Sequence, residues 1–224
     1  MNHVNSPLIT VDELKTLNTA VVLHASMGAQ PPTEVIAGAF VADLEDDFSH
    51  TDHPLPHTVP GNIQEVFASY GISDDTPVVV YDSDGATAPR VWWLARVAGL
   101  TDVRVLDGGF RAWQRAGLPT EAPSRNAESG VIVAQPLWDL LIDAPGVANT
   151  SRQVVDARSH DRFVGAVKEP RPGLRSGHIP GSVNVPFTEV YRSDGTWKSP
   201  EELAELFPTR PRSFLVRVRR HRVC

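Results

Sequence analysis

Two kinds of apolar run alternate through the first half of the chain, short β-branched ones of strand length and longer ones of helix length. Val78 to Tyr81, reading VVVY, and Val103 to Leu106, reading VRVL, predict strands, as do Ala20 to His24 and, more briefly, Ala39 to Asp43. Helices are predicted over Asn62 to Tyr70, Arg90 to Ala98 and Phe110 to Ala116. Strand and helix in turn argue for an α/β fold, a parallel sheet covered by helices. From Glu121 to Gly130 the chain reads EAPSRNAESG, polar and small, which predicts a linker. Beyond it the pattern begins again.

The restart has the look of a repeat. Val22-Leu23-His24-Ala25-Ser26 aligns with Val154-Val155-Asp156-Ala157-Arg158, and Ile36-Ala37-Gly38-Ala39 with Ile179-Pro180-Gly181-Ser182, in the same order. Two tandem copies of one α/β domain are therefore expected. The repeat also supplies a ruler. In the first copy the loop after the central strand begins at Asp82, 44 residues past Gly38, so the second loop is expected near position 225, beyond Cys224. On that count the second copy is incomplete and lacks its central strand. The expected organisation is a first domain over 7–122, a linker over 123–132, the N-terminal part of a second domain over 133–207, and a tail over 208–224.

Composition narrows the class. With 41% hydrophobic and 21% charged residues the chain is globular rather than disordered or fibrous. MNHVNSPLITVDELK has neither the basic nor the apolar region of a signal peptide, and no apolar run is of membrane-spanning length, so a cytoplasmic protein with no membrane partner is expected. A single cysteine excludes an internal disulfide, in keeping with a reducing compartment. The net charge of -6 hides an asymmetry: PTRPRSFLVRVRRHRVC, the last 17 residues, holds six arginines and no acid. A basic tail suits nucleic acid in general. None is expected as a partner here, because the rest of the chain is strongly acidic and the tail breaks from the pattern of what precedes it.

The stretch VVVYDSDGATAPR is where chemistry would be sought first, since ligands of α/β folds bind at the loops that follow strands. Asp82 and Asp84 have the spacing of the nucleophile and acid/base of haloacid-dehalogenase-type phosphatases. Those enzymes also need a downstream lysine and paired acidic metal ligands, whereas Val103 to Leu106 is followed by the lone carboxylate of Asp107. An EF-hand is excluded because Gly85 stands fourth, not sixth, in such a loop. No metal and no cofactor is expected. Trp92, Trp93 and Trp113, at helical positions beside a sheet, read as core.

Two long segments resemble a known family. VVVYDSDGATAPRVWWLARVAGLTDVRVLDGGFRAWQRAGLPTE resembles the N-terminal half of two-domain rhodanese-family sulfurtransferases, as does DHPLPHTVP, from Asp52 to Pro60; VVDARSHDRFVGAVKEPRPGLRSGHIPGSVNVPF is similar to the start of their C-terminal half. The resemblance implies tandem rhodanese-like domains, the first non-catalytic, with Asp82 where an active copy holds cysteine. It implies a second domain whose cysteine takes a sulfane sulfur from thiosulfate or 3-mercaptopyruvate as a persulfide and passes it to a thiol or cyanide. Arg162 and Arg171 match the family's substrate-binding arginines, and Glu169-Pro170-Arg171 looks like the 3-mercaptopyruvate branch. Two guanidinium groups suit a small anionic sulfur donor because they stay charged and bond two oxygens at once. Asp156 matches the acid at the end of the VVDAR strand, there to orient Arg162 or to cap a turn; in RSGHIPG, which begins at Arg175, His178 reads as a structural hydrogen-bonder and Gly181 as a turn residue.

After EELAELF the resemblance stops, where a truncation or a frameshift after about Phe207 would leave it. Cys224 is a poor nucleophile for sulfur transfer, since the preceding RVRRHRV cannot form a buried strand without desolvating its charges and no loop amides follow to hold a thiolate. No catalytic cysteine is therefore identified, and a non-catalytic binding or regulatory role is the alternative to an active sulfurtransferase.

Overall fold

The computed structural model describes residues 6–28, 30–49, 58–124, 127–170 and 174–207, and of 214–215 the backbone alone. The chain divides into two compact units, residues 1–138 and 139–224.

In the first unit β1 (Leu8–Ile9), α1 (Val11–Thr16), β2 (Val21–Ser26), β3 (Val35–Ile36), β4 (Phe40–Asp43), α2 (Ile63–Ala68), β5 (Val78–Tyr81), α3 (Ala88–Val97), β6 (Val103–Leu106), α4 (Gly109–Arg115) and β7 (Thr120–Glu121) follow one another. Five strands form a parallel sheet in the order β1-β6-β5-β2-β4. β3 and β7 pair antiparallel in a small second sheet. The centre is β5, whose four side chains are wholly buried. Such a strand must be apolar on both faces, which is why VVVY shows no alternation. Val78 and Val80 pack with Ile63 and Phe67 of α2 and Val91 and Leu94 of α3. Val79 and Tyr81 pack instead with Leu14 of α1 and Phe110 and Trp113 of α4. Full burial of each such side chain contributes about 1.5–3 kcal/mol, so this strand anchors both layers.

The strands at 78–81 and 103–106 lie where the apolar runs predict them. α3 starts two residues earlier than expected, at Ala88, because Pro89 suits the first turn of a helix, where its missing N–H has no bond to make. β1 and α1 are additions. Thr10 starts α1 with a capping box: its side chain accepts the Glu13 N–H while the Glu13 carboxylate accepts that of Thr10.

The expected linker behaves differently from its composition. Residues 127–137 lie along the first unit, because side chains there satisfy the backbone of the segment. Gly130 N–H donates to Ala68 O, Val131 N–H to Ser73 Oγ, and the N–H groups of Val133 and Ala134 to the Asp74 carboxylate. Gln64 Nε2 donates to both Ala98 O and Ala134 O, and Ile132 packs on the core. The division between units accordingly falls after Trp138.

The second unit contains α5 (Ala144–Asn149), β8 (Val154–Asp156), α6 (His160–Val164), β9 (Val183–Asn184), α7 (Pro200–Leu206) and β10 (Phe214–Leu215). β8 lies between β9 and β10, parallel to both. Its register repeats that of the first unit. Val155 and Asp156 sit opposite Val183 and Asn184, as Leu23 and His24 sit opposite Phe40 and Val41. The turn before each edge strand matches too, with Gly38 at φ 81° and Gly181 at φ 80°, a left-handed conformation that glycine adopts without strain. Ala39 N–H donates to Ile36 O in one turn and Ser182 N–H to Ile179 O in the other.

One expectation is overturned. The place of a central strand is filled, by Phe214 and Leu215 of the arginine-rich segment, which pair with Val154 and Val155 as Val79 and Val80 pair with Val22 and Leu23. The count from Gly181 assumed equal connections, and the connection to β10 is shorter. Leu215 is level with Val80, and the residues that follow it lie outside the described ones. No helix among the described residues is long and apolar enough to cross a membrane.

Gly130 tests the docking of residues 127–137. A Cβ there would lie 2.2 Å from Ile72 O and 2.5 Å from its carbonyl carbon, backbone that cannot swing aside. Gly130→Ala is expected to lower stability by about 1–3 kcal/mol, measured as a shifted urea midpoint in tryptophan fluorescence. An unshifted midpoint would mean that the segment is not held there.

Candidate functional site

At the end of β5 the chain turns through Asp82 to Thr87 into α3, leaving the N–H groups of the loop and of the first helical turn without carbonyl partners. Asp82 fills that cradle with its own carboxylate. Oδ1 accepts the Gly85 N–H at 2.9 Å, and Oδ2 accepts those of Thr87 at 2.9 Å and Ala88 at 2.7 Å. Asp84 Oδ1 takes the Ala86 N–H and the Thr87 hydroxyl. Asp82 is 5% exposed, and its own carbonyl accepts the Phe110 N–H. Burial pushes its carboxyl above the usual range; the Ala88 N–H opposes that rise, Asp84 adds to it, and the Gly85 and Thr87 N–H groups oppose it further.

This geometry decides against a phosphatase built on Asp82 and Asp84. A carboxylate nucleophile needs an oxygen free to attack, and both oxygens of Asp82 are committed to backbone amides inside the fold. A ring of backbone N–H groups at the start of a helix is an arrangement that suits a negatively charged group. Here the Asp82 carboxyl group fills it.

His24, on β2, lies beside the loop. It is buried, stacks on Tyr81 with ring centroids 4.6 Å apart, and places Nε2 3.3 Å from Ser83 Oγ, while Nδ1 has no hydrogen-bond partner among the described residues. Burial lowers its pKa to about 4, with Asp84 opposing the shift, so the ring is neutral near pH 7. The repeat sets His24 opposite Asp156, and Ser26 opposite Arg158. Where the first unit has a neutral imidazole and a hydroxyl, the second has an ion pair.

That ion pair begins a network. Asp156, at the end of β8, accepts the Arg158 backbone N–H at 3.0 Å and the Arg158 guanidinium through Nε at 2.9 Å and Nη2 at 2.5 Å. Arg158 also donates through Nη1 to Glu169 Oε1 at 2.7 Å and through Nη2 to Gly177 O at 2.9 Å. Arg162, in α6, donates through Nη2 to Glu169 Oε2 at 2.5 Å. Burial alone would raise the pKa of Asp156 and of Glu169, but bonding outweighs it and both are lowered, Asp156 chiefly by Arg158 and Glu169 chiefly by Arg162.

The candidate residues of the second unit thus divide. Asp156 and Arg162 belong to one network, but Asp156 holds Arg158, not Arg162, because the turn after β8 brings the nearer arginine back onto it. Glu169 is the acid that holds Arg162. Arg158 and Glu169 appear in the sequence only as members of the VVDAR repeat and of Glu169-Pro170-Arg171, with no pairing role, although Asp-x-Arg at a strand end was there to suggest the first pair. Arg171 and Cys224 lie outside the described residues. Arg175 is exposed, His178 Nδ1 lies 2.9 Å from Phe163 O with its ring stacked on Phe163, and Gly181 makes the turn before β9. No group of three or more His, Cys, Asp or Glu placed to hold a metal occurs among the described residues.

Two measurements check the first unit. Asp82→Ala would leave the N–H groups of Gly85, Thr87 and Ala88 without their acceptor and is expected to lower stability by about 2–4 kcal/mol, read from urea unfolding; a change below about 0.5 kcal/mol would show that the cradle does not depend on the carboxylate. His24 is expected to titrate near pH 4 in proton NMR rather than near 6.5. Its folded pKa lies below the unfolded value, so the folded state binds fewer protons across that window. The stability linked to His24 is therefore full above about pH 6.5 and lost as pH falls toward 4. A ring that titrates at 6.5 would mean that it is hydrated.

Comparison with known proteins agrees with this architecture. Residues 31–116 match the family model of the rhodanese-like domain. The chain is 41% identical over 187 residues to 3-mercaptopyruvate sulfurtransferase of Mus musculus, a match covering 77% of this chain and 61% of that protein. It is 40% identical over 182 residues to thiosulfate sulfurtransferase of Rattus norvegicus, again 77% of this chain and 61% of the relative. The chain thus spans about three-fifths of the length of the curated relatives it matches. The crystal structure of SseA from Escherichia coli, reported for the rhodanese fold and mechanism of 3-mercaptopyruvate sulfotransferases, matches with a TM-score of 0.76 at 30% identity, over 90% of this chain and 82% of that one. With the repeated register, the paired glycine turns and the amide cradle after β5, these matches lead to one conclusion: the chain belongs to the rhodanese family.

Proposed function

We propose that the protein belongs to sulfur transfer from 3-mercaptopyruvate or thiosulfate to a thiol or cyanide, and that within these 224 residues it supplies the donor-binding part of the reaction without the nucleophile. Supporting the reading is the contrast between the two copies. The first unit buries Asp82 in the cradle and offers no cationic side chain at the positions matching Asp156 and Arg158. The second unit gathers two arginines at the same strand end, both of them partly exposed. The match to 3-mercaptopyruvate and thiosulfate sulfurtransferases fits a small anionic donor at that place.

Arg162 and Arg171 take the role of donor-binding groups. A guanidinium offers two parallel N–H bonds to a carboxylate or a thiosulfate and keeps its charge at any physiological pH. Arg158 is a poor candidate, since Nε, Nη1 and Nη2 all donate to Asp156, Glu169 or Gly177. In the family reaction a cysteine thiolate then takes the sulfane sulfur as a persulfide and hands it to the acceptor. The single cysteine of this sequence is Cys224, and the arginine-rich RVRRHRV that precedes it is a poor setting for a sulfur nucleophile. A polypeptide of these residues is therefore expected to act as a non-catalytic binder.

The test is direct. Purified 224-residue protein, given thiosulfate and cyanide or 3-mercaptopyruvate and a thiol, is expected to form no thiocyanate or sulfide above the uncatalysed rate. Turnover that persists in Cys224→Ser would overturn the reading, because no other cysteine is present to carry the sulfur.

A further inference from the structure

In the network at the end of β8, Glu169 is the most buried member, with its side chain 4% exposed, and Arg162 the most exposed, at 31%. Glu169 lies after α6, in a stretch with no regular structure, and no strand or helix needs its carboxylate. Burying a carboxylate is costly unless its partners offset the cost, so its place calls for a reason. Oε1 is fixed by Arg158 Nη1, and Arg158 is fixed in turn by Asp156 and by Gly177 O. Oε2 accepts Arg162 Nη2 at 2.5 Å, and Arg162 Nε lies 3.4 Å from Oε1. Glu169 therefore grips Arg162 by its Nε and Nη2 edge from a base tied to the sheet. Nothing among the described residues bonds Arg162 Nη1.

We propose that Glu169 is a positioning residue of the donor site, clamping one edge of the Arg162 guanidinium so that its other edge is presented to the anionic sulfur donor. The proposal rests on the reading of Arg162 as a donor-binding arginine. A side chain of Arg162's length loses considerable rotamer freedom when it binds an anion unaided. Held by Glu169, much of that loss has already occurred on folding, and the anion meets a fork of fixed direction. The clamp also has an electrostatic cost. Asp156 and Glu169 offset the charges of Arg158 and Arg162, so the net attraction for a donor must come from further cations, as the assignment of Arg171 to the site would provide. Positioning and screening thus push affinity in opposite directions when Glu169 is neutralised, and the sign of the change tells them apart.

The experiment is calorimetric titration of thiosulfate into the full 224-residue chain and into Glu169→Gln, Arg162→Met and the double variant. Glu169→Gln is expected to weaken binding about tenfold, the scale seen when a ligating group loses the carboxylate that orients it, although the variant carries one negative charge fewer. Arg162→Met is expected to weaken binding as well, and the double variant to bind like Arg162→Met alone, because Glu169 acts through Arg162. Binding that is unchanged or tighter in Glu169→Gln overturns the proposal and leaves Glu169 a screening charge. Additive losses overturn it too, since Glu169 would then act apart from Arg162. No binding by the parent chain, or no effect of Arg162→Met, sinks the donor-site reading itself. Should Glu169→Gln lose its far-UV circular dichroism, Glu169→Asp serves instead. It keeps the charge but is one methylene too short to bridge both arginines, and parent-like affinity in that folded variant counts equally against positioning.

Discussion

A parallel strand buried on both faces leads into a helix whose first N–H groups have no partners, and what fills that place governs the first unit. β5 can lie between two helical layers only because its side chains are all apolar, yet the turn into α3 brings several backbone donors together at its carboxyl end. Left bare in a buried position, each would cost about 1–3 kcal/mol. Asp82 meets the need by folding its carboxylate back onto Gly85, Thr87 and Ala88. The interaction binds strand, loop and helix into one piece. It also engages both carboxylate oxygens with backbone amides inside the fold.

The second unit meets the same backbone plan with another distribution of charge. Its register against β9 is that of β2 against β4, residue for residue, so the ends of β2 and β8 present equivalent positions. In the first unit these are His24 and Ser26, both buried, with the imidazole neutral because burial disfavours its cation. In the second they are Asp156 and Arg158, the root of a network that reaches Glu169 and Arg162. Hydrogen bonds of the backbone set strand register, and they do not depend on the side chain carried at a strand end. One copy could therefore lose its charges and the other gather them while the sheet stayed as it was.

How far this was legible in the sequence follows from the same physics. β5 and β6 could be read because a doubly buried strand needs an unbroken apolar run, and VVVY and VRVL supply it. The backbone of residues 131–134 is bonded by Ser73, Asp74 and Gln64, far off along the chain, which composition does not show. β10 was hidden by its neighbours: Phe214 and Leu215 are apolar, yet the arginines on either side dominate any window that contains them. In the network, the partner of Arg162 is Glu169 and not the Asp156 that the sequence suggests. Asp156 is adjacent in sequence to the strand end and drew the assignment, whereas Glu169 becomes Arg162's partner only through the chain's return after α6.

That return bears on what the network is for. Buried ion pairs are weak evidence of stability, since apolar side chains of similar size often serve a core as well or better. Four alternating charges at the end of a three-residue strand are therefore poorly explained as a device for holding β8 in place, a task that pairing on both sides and the burial of Val155 already perform. What alternating charges provide and apolar packing does not is direction. Each carboxylate fixes the plane of the guanidinium it meets, and each guanidinium fixes the next carboxylate, so the orientation of the sheet is carried outward to Arg162. A small anion recognised through two parallel N–H bonds requires that its partner point one way before it arrives, and a network rooted in a strand end provides that direction.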